Sequence, residues 1–439
     1  MDSASSLPVG RQVRNDTLIC RLRVYCMYKK IILENGIPLL TEASKETRSV
    51  SIGIWIKVGA RKESVKKNGI SHFLEHMFFK GTKKRTAKDI ALEIDSLGGE
   101  LNAFTSRETT TFYIKVMDEH IEKAVELIMD IFLNSTFPEE EIEKEKGIIF
   151  EEIKMVEDTP DDYIHDLFNK NIWGESGLGQ HVLGSKETIG TFTRDIILEH
   201  IEKYYTTKNM VIACSGNFNE EMLIKKLNSS IGTIKRDSTS GKDICPEFNS
   251  QINIIPKKLS EVHICLGIKG IQQASEDRYK MYLLNTILGA GVSSRLFQEI
   301  REKRGLAYSI YSFNVSYVDT GAWTVYAGTD KKQVSEVIDI IINQIKGLPD
   351  SVTIDDLERS KKQLKGNLIL ALESTSSKMI NIAKQEIYYG RYFSPEDIIN
   401  AVEAVTLEGL KEFSRGLIEN SPFALTVYGP VKKLKTPSI

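Results

Sequence analysis

The feature that most limits how this chain can fold is an internal repetition. SVSIGIWIKVG, from Ser49 to Gly59, returns as EVHICLGIKG, from Glu261 to Gly270. The segments that follow return in the same order. KMYLLNTILGAG stands where HFLEHMFFKGT stood, and SSRLFQEI takes the next helix. AYSIYSFNVSYVDTGAWTVYAG mirrors LNAFTSRETTTFYIKV, and VSEVIDIIINQI mirrors IEKAVELIMDIF. Such an order implies a duplicated mixed α/β unit of roughly 200 residues. At 439 residues the chain is too long for one ordinary domain and comfortable for two.

The local patterns support that reading. KIILENGIPLLTEA predicts two strands around an Asn-Gly turn. SVSIGIWIKVGA alternates apolar residues with small or polar ones, as a sheet strand does. Thr86-Ala87-Lys88-Asp89 resembles a capping box ahead of a helix. Pro138 opens a long acidic helix, PEEEIEKEKGIIFEEIKMVED, with glutamates near the positive end of its dipole. The polar stretch 236–250, RDSTSGKDICPEFNS, predicts a linker. The expected division is therefore an extension over 1–26, a first half over 27–235, the linker over 236–250, a second half over 251–431 and a tail over 432–439. The expected fold is α/β (α+β): two homologous halves, each a mostly antiparallel sheet packed with helices, facing across a cavity.

Charge and cysteine usage exclude several partners. The formal net charge is -2, and 41% of residues are hydrophobic against 27% charged. That balance gives no reason to expect nucleic acid or an anionic membrane as partner, and no apolar run reaches the roughly 18–20 residues of a membrane span. Cys20, Cys26, Cys214, Cys245 and Cys265 are odd in number and scattered, with no CxxC pair, so a reducing compartment fits best. The first 26 residues hold Arg11, Arg14, Arg21 and Arg23 but no apolar core, which excludes a secretory signal. Two readings stand for them. One is a transit-like peptide directing the chain to an organellar matrix, against which Asp2 and Asp16 speak. The other is an upstream stretch ahead of a start at Met27, which goes with a bacterial cytoplasmic protein.

One half carries something the other lacks. In HFLEH, His72 and His76 are four residues apart, with Glu75 directly before the second. A helix predicted from Gly69 to Lys80 stacks the two imidazoles on one face, with Cβ atoms roughly 5–6 Å apart, close enough to share one ion. Phe73, Leu74, Met77, Phe78 and Phe79 make the rest of that helix apolar, and a histidine pair with a glutamate on such a helix is costly without a partner. Glu75 borders the face without pointing along it, where a general base belongs. Catalytic zinc usually takes three protein ligands. His120, His165, His181, His200 and His263 stand alone in the sequence, so the acidic helix is the better source of a third. Its Glu145 and Glu152 are seven apart and share a face, although most of its glutamates suit a solvated surface.

HFLEH followed by GGELNAFTSRETTTFY and then EKEKGIIFEEIKMVED closely resembles the pitrilysin-like zinc peptidases, the inverzincins. The closest likeness is to the bacterial relatives of mitochondrial processing peptidase, and it runs from about Lys30 to about Pro430. The resemblance implies one Zn2+ per chain on His72, His76 and Glu152, with Glu75 as base and Glu145 supporting the ligands. Glu151 is the rival third ligand; it lies about 100° round the helix from Glu152. The resemblance also implies that Arg301 and Tyr308, seven apart in REKRGLAYSIYS, hold the substrate backbone or the developing oxyanion, with Arg304 as a decoy lacking the family spacing. Asn102, Ala103 and Phe104 match the strand whose edge pairs with an extended substrate. The expected function is a zinc metalloendopeptidase acting on peptides or unfolded proteins, in processing or in oligopeptide degradation, and expected as a homodimer. The alternatives are a non-catalytic core subunit, of a kind that typically loses the zinc motif, and a maturase for one dedicated precursor peptide.

Overall fold

The structure is a computed structural model that describes residues 27–232, 234, 244–419 and 421–434. The expected N-terminal extension, most of the linker and the end of the tail lie outside the described residues. Two sheets organise the rest. The first contains β1 (Met27–Ile32), β2 (Pro38–Ala43), β3 (Ser49–Ile56), β4 (Glu100–Thr105), β5 (Thr110–Met117) and β6 (Met210–Gly216), in the order β1-β2-β6-β3-β5-β4. The second contains β7 (Ile252–Pro256), β8 (Val262–Lys269), β9 (Ala307–Ser316), β10 (Gly321–Thr329) and β11 (Ala424–Gly429), in the order β7-β11-β8-β10-β9.

The repetition in sequence is a repetition in topology. With β1 set aside, β2-β6-β3-β5-β4 and β7-β11-β8-β10-β9 are the same five-stranded arrangement. Each has one parallel pair, β2 with β6 and β7 with β11, and is otherwise antiparallel. The Asn-Gly turn closes the β1–β2 hairpin, with Gly36 at φ +94°. The capping box forms as predicted: Thr86 accepts from the Asp89 backbone, and Asp89 accepts in return from Thr86. The acidic helix runs Glu139–Glu157, with Pro138 at its N-cap.

The halves do not merely face each other. The helix Pro160–Trp173, from the first half of the sequence, lies on the second sheet. Its Ile164, Phe168, Ile172 and Trp173 form one buried cluster with Cys265, Tyr326, Ala424 and Tyr428. In return the helix Thr375–Tyr389, from the second half, lies on the first sheet, where Met379, Ile382 and Ala383 pack on Leu40, Trp55, Val211 and Ala213. Each sheet thus has one face on its own helices and the other under a borrowed one. This is why β3, β6, β8 and β10 are buried along almost their whole length. Burying one such large apolar side chain is worth about 1.5–3 kcal/mol, so the exchange contributes substantially to the joint. Polar contacts add to it. The buried Arg61 reaches Glu108 at 2.7 Å and, across the joint, Asp319 at 2.5 Å. The two homologous halves are therefore clasped by the helices they exchange.

Candidate active site

The histidine motif sits on a short helix, Ile70–Met77. Ile70, Phe73, Leu74 and Met77 anchor it in the first core, and Phe73 meets Phe192 edge to face at 5.4 Å. Its start is fixed by a residue the sequence reading missed. The buried Glu63 carboxylate accepts hydrogen bonds from the backbone N–H of Gly69 at 2.6 Å and of Ser71 at 2.8 Å, and from the Asn68 amide at 3.0 Å. It satisfies N–H groups that a helix start leaves open, and its charge suits the positive end of the dipole. Gly69 has φ +92°, and a Cβ there would lie 2.7 Å from the Leu183 carbonyl and the Gly184 Cα, so only glycine fits. The helix ends earlier than the predicted Lys80. From Phe79 the chain tightens, with Phe79 N–H bonded to His76 O and Lys80 N–H to Met77 O, before Gly81 turns it away at φ +122°.

His72, His76 and Glu152 converge. One ligand atom from each lies within 4.8 Å of the others, the only such group among the described residues. The Nε2 atoms of His72 and His76 are each 3.6 Å from the same oxygen, Glu152 Oε2. His72 is only 6% exposed, and Glu152 Oε2 is buried without a hydrogen-bond partner. A tetrahedral ion with bonds of about 2.1 Å needs its donors roughly 3.4 Å apart. That spacing and the unpartnered oxygen fit a zinc-sized cation.

Electrostatics agree with that use. Burial, with His76 adding to it, pushes the His72 imidazole down to about 3, so it is neutral at pH 7 and offers a lone pair. For His76 burial acts downward, but the Glu145 carboxylate bonded to its Nδ1 at 2.8 Å wins and the imidazole is raised. Burial, with Glu145 nearby, raises the Glu152 carboxyl. Burial also raises Glu75, against the opposing pull of the neighbouring Thr105. Glu75 Oε2 remains buried and unpartnered. Glu145 is held low: burial opposes its charge, but the His76 hydrogen bond and the Lys80 ion pair prevail.

The other predicted residues are placed as follows. Glu151 points to solvent in an ion pair with Lys154, away from the cluster. Asn102, Ala103 and Phe104 pair with Tyr113, Phe112 and Thr111 on β4, which is an edge of the first sheet. Arg301 lies in a π-helical turn, Phe297–Glu302, and Tyr308 on β9. The guanidinium stacks on Tyr308 at 4.7 Å and on Phe297 at 4.8 Å, and Tyr308 is 79% exposed. The chain thus brings Arg301 and Tyr308 together in one stacked pair. Arg304 is engaged by Glu299 at 2.8 Å and Glu336 at 3.4 Å. The remaining histidines do other things: His165 bonds the Tyr311 hydroxyl at 3.1 Å, and His263 that of Tyr326 at 2.9 Å. His181 lies 3.4 Å from Asp166, His120 3.7 Å from Glu119, and His200 is buried beside Tyr204. Thr105 and Lys80 went unread because each acts on the site through another residue.

A duplicated unit with a histidine–glutamate cluster in one copy defines a class, and comparison with known proteins gives it a name. A family model described as Insulinase (Peptidase family M16) matches residues 39–186, and one described as Peptidase M16 inactive domain matches residues 191–364. An uncharacterized zinc protease of Bacillus subtilis is 42% identical over 405 residues, covering 92% of this chain and 98% of that one. Another, of Streptomyces coelicolor, is 36% identical over 430 residues, covering 95% and 93%. Two solved structures share the fold. A peptidase M16 inactive domain from Pseudomonas fluorescens superposes with a TM-score of 0.86 at 18% identity, covering 93% of this chain and 100% of that one. A protease from Helicobacter pylori does so with 0.84 at 22%, covering 92% and 99%. The chain belongs to peptidase family M16, the insulinase or pitrilysin-like family. His72, Glu75, His76, Glu145 and Glu152 fall within the first match, Arg301 and Tyr308 within the second.

Proposed function

We propose that this chain is a zinc-dependent metalloendopeptidase that cleaves extended or unfolded peptides. The observation that supports it most is the set of three donors, two imidazole Nε2 atoms each 3.6 Å from the buried, unpartnered Oε2 of Glu152. His72, His76 and Glu152 would hold the zinc, which when bound supplies a Lewis acid for the scissile carbonyl and makes the attacking water more acidic. Glu75 stands beside these ligands with an oxygen to spare, takes the proton from the attacking water and passes it to the leaving amine. The neighbouring Thr105 favours the ionised carboxylate that the first transfer needs. An extended peptide adds as a strand along Asn102–Phe104 at the β4 edge. Arg301 and Tyr308, stacked on each other and open to solvent, hold the peptide backbone or the developing oxyanion.

In this reading the halves divide at 236–250, the protein works as a homodimer in the bacterial cytoplasm, and its substrates are peptides to be processed or degraded. No helix among the described residues is long and apolar enough to cross a membrane. The test is zinc content together with cleavage of a defined peptide library by the wild type and by Glu75→Gln. Stoichiometric zinc with cleavage confined to the wild type supports the reading; a zinc-free wild type or an equally active variant refutes it.

A further inference from the structure

We propose that Lys80 is a positioning residue for the metal centre, acting through Glu145; the inference rests on the zinc reading above. Three contacts run in series. Lys80 Nζ lies 2.6 Å from Glu145 Oε2. Glu145 Oε1 lies 2.8 Å from His76 Nδ1. His76 Nε2 faces Glu152 Oε2 at 3.6 Å. The two oxygens of one carboxylate are thus divided between a lysine and a metal-side histidine.

Glu145 needs that lysine. Its side chain is 2% exposed, and a carboxylate taken so far from water is unfavourable unless a counter-charge and hydrogen bonds replace the solvent. Lys80 is the cation that pairs with it among the described residues. His76 cannot fill that role while it serves as a ligand, because a ligating imidazole must be neutral. Its Nδ1–H then donates to Glu145 and keeps the Nε2 lone pair turned toward the ion, the arrangement in which a carboxylate orients a metal-bound histidine.

The backbone presents Lys80 from a fixed place. The helix has just ended, Lys80 N–H bonds Met77 O at 3.2 Å, and the Ser135 hydroxyl takes the Phe78 carbonyl at 2.9 Å. Just beyond, Gly81 and Thr82 make bridges to Thr86 and Ser135. From this pinned turn the lysine stem crosses to the acidic helix. The carboxylate is held at both oxygens by groups from the same short stretch, His76 and Lys80. With Lys80 removed, one oxygen loses its partner, the carboxylate can turn about its remaining bond, and the imidazole loses its fixed plane.

The experiment measures zinc affinity by chelator competition for the wild type, Lys80→Met, Lys80→Gln, Lys80→Arg, Glu145→Gln and the double variant Lys80→Met/Glu145→Gln, together with the melting temperature of each metal-free protein. Two neutral variants are included in case one folds poorly. Lys80→Met and Lys80→Gln should weaken zinc binding about 10- to 100-fold, the usual cost of losing a group that orients a ligand. Lys80→Arg should restore most of it. In the Glu145→Gln background Lys80→Met should add little, since its route to the metal is already cut. Raising free zinc should recover turnover in Lys80→Met, which a general weakening of the fold would not allow. Wild-type affinity in both neutral variants, or an equal loss from Lys80→Met in both backgrounds, overturns the proposal while leaving the zinc enzyme intact. A wild type that holds no zinc overturns both.

Discussion

His76 Nδ1 lies 2.8 Å from Glu145 Oε1, and this contact decides which ring nitrogen faces the cluster. An ionised carboxylate accepts only, so a neutral His76 must carry its proton on Nδ1. Its Nε2 lone pair then points toward Glu152, where the His72 Nε2 also arrives.

Glu75→Gln should keep the metal and lose turnover. Removing a general base costs roughly 10²–10⁴ in rate, and Glu75 is not among the three converging donors. Zinc content and melting temperature should match the wild type, with peptide hydrolysis assayed on the same preparation. Near-normal hydrolysis would remove the base from the mechanism.

Glu152→Gln should weaken zinc binding, and Glu151→Gln should not. An amide replaces an anionic oxygen poorly in a site of two histidines and a carboxylate, whereas Glu151 is spent on a solvent-exposed pair with Lys154. Metal analysis after dialysis decides between them; the reverse pattern would mean that the neighbouring carboxylate is the ligand.

Arg301→Ala and Tyr308→Phe should lower peptidase activity without removing zinc or stability. Both side chains are on the surface of the second half, so neither change leaves a core cavity. Unchanged kcat/KM in both variants would make that half a purely structural partner.

A given cleavable segment should be cut as a free peptide and spared inside a rigid loop of a stable folded protein. Pairing along the β4 edge requires free backbone N–H and C=O groups in an extended strand, and folded domains keep theirs occupied. Equal rates for the two presentations would refute strand addition as the binding mode.

Phe168→Ala and Ile382→Ala should each destabilise the whole molecule, by about 3–5 and 2–5 kcal/mol, the usual range for emptying such core positions. Each residue is buried against the other half's sheet. Denaturant midpoints give the measure, and changes below 1 kcal/mol would mean that the borrowed helices contribute little.

Much of this was legible in the sequence, and the rest was hidden for definite reasons. The strands, the Asn-Gly turn and the Thr86 capping box are local signals, each read within a dozen residues, and the repetition shows when two distant stretches are set side by side. The stacking of His72 over His76 follows from helical spacing. The inward phase of Glu152 over Glu151 came from the resemblance, and the helix now turns Glu151 out to Lys154. The exchange of helices was invisible, because an amphipathic pattern says that a face is covered and not by what. SVSIGIWIKVG reads as a strand with one wet face; Ser51 in it instead meets Thr375 at 2.9 Å under the borrowed helix. The premature end of the motif helix was missed for a similar reason: Ser135, more than fifty residues on, takes the Phe78 carbonyl. Glu63 and Lys80 lie outside HFLEH, and no spacing rule links a carboxylate to a helix start six residues away.

The clasped arrangement has a consequence for how the chain can come apart. Two domains strung on a linker can be cut loose and still stand alone. Here a fragment ending at residue 235 would carry the helix Pro160–Trp173 with no sheet to lie on, and its own sheet would be left bare over Trp55 and Val211. The fragment from residue 251 would be in the mirror-image position. Severing the backbone between them should leave the pair together, held by the interleaved helices, whereas the pieces made separately should each expose that apolar surface. Heat should likewise find one melting transition where the duplication alone would suggest two.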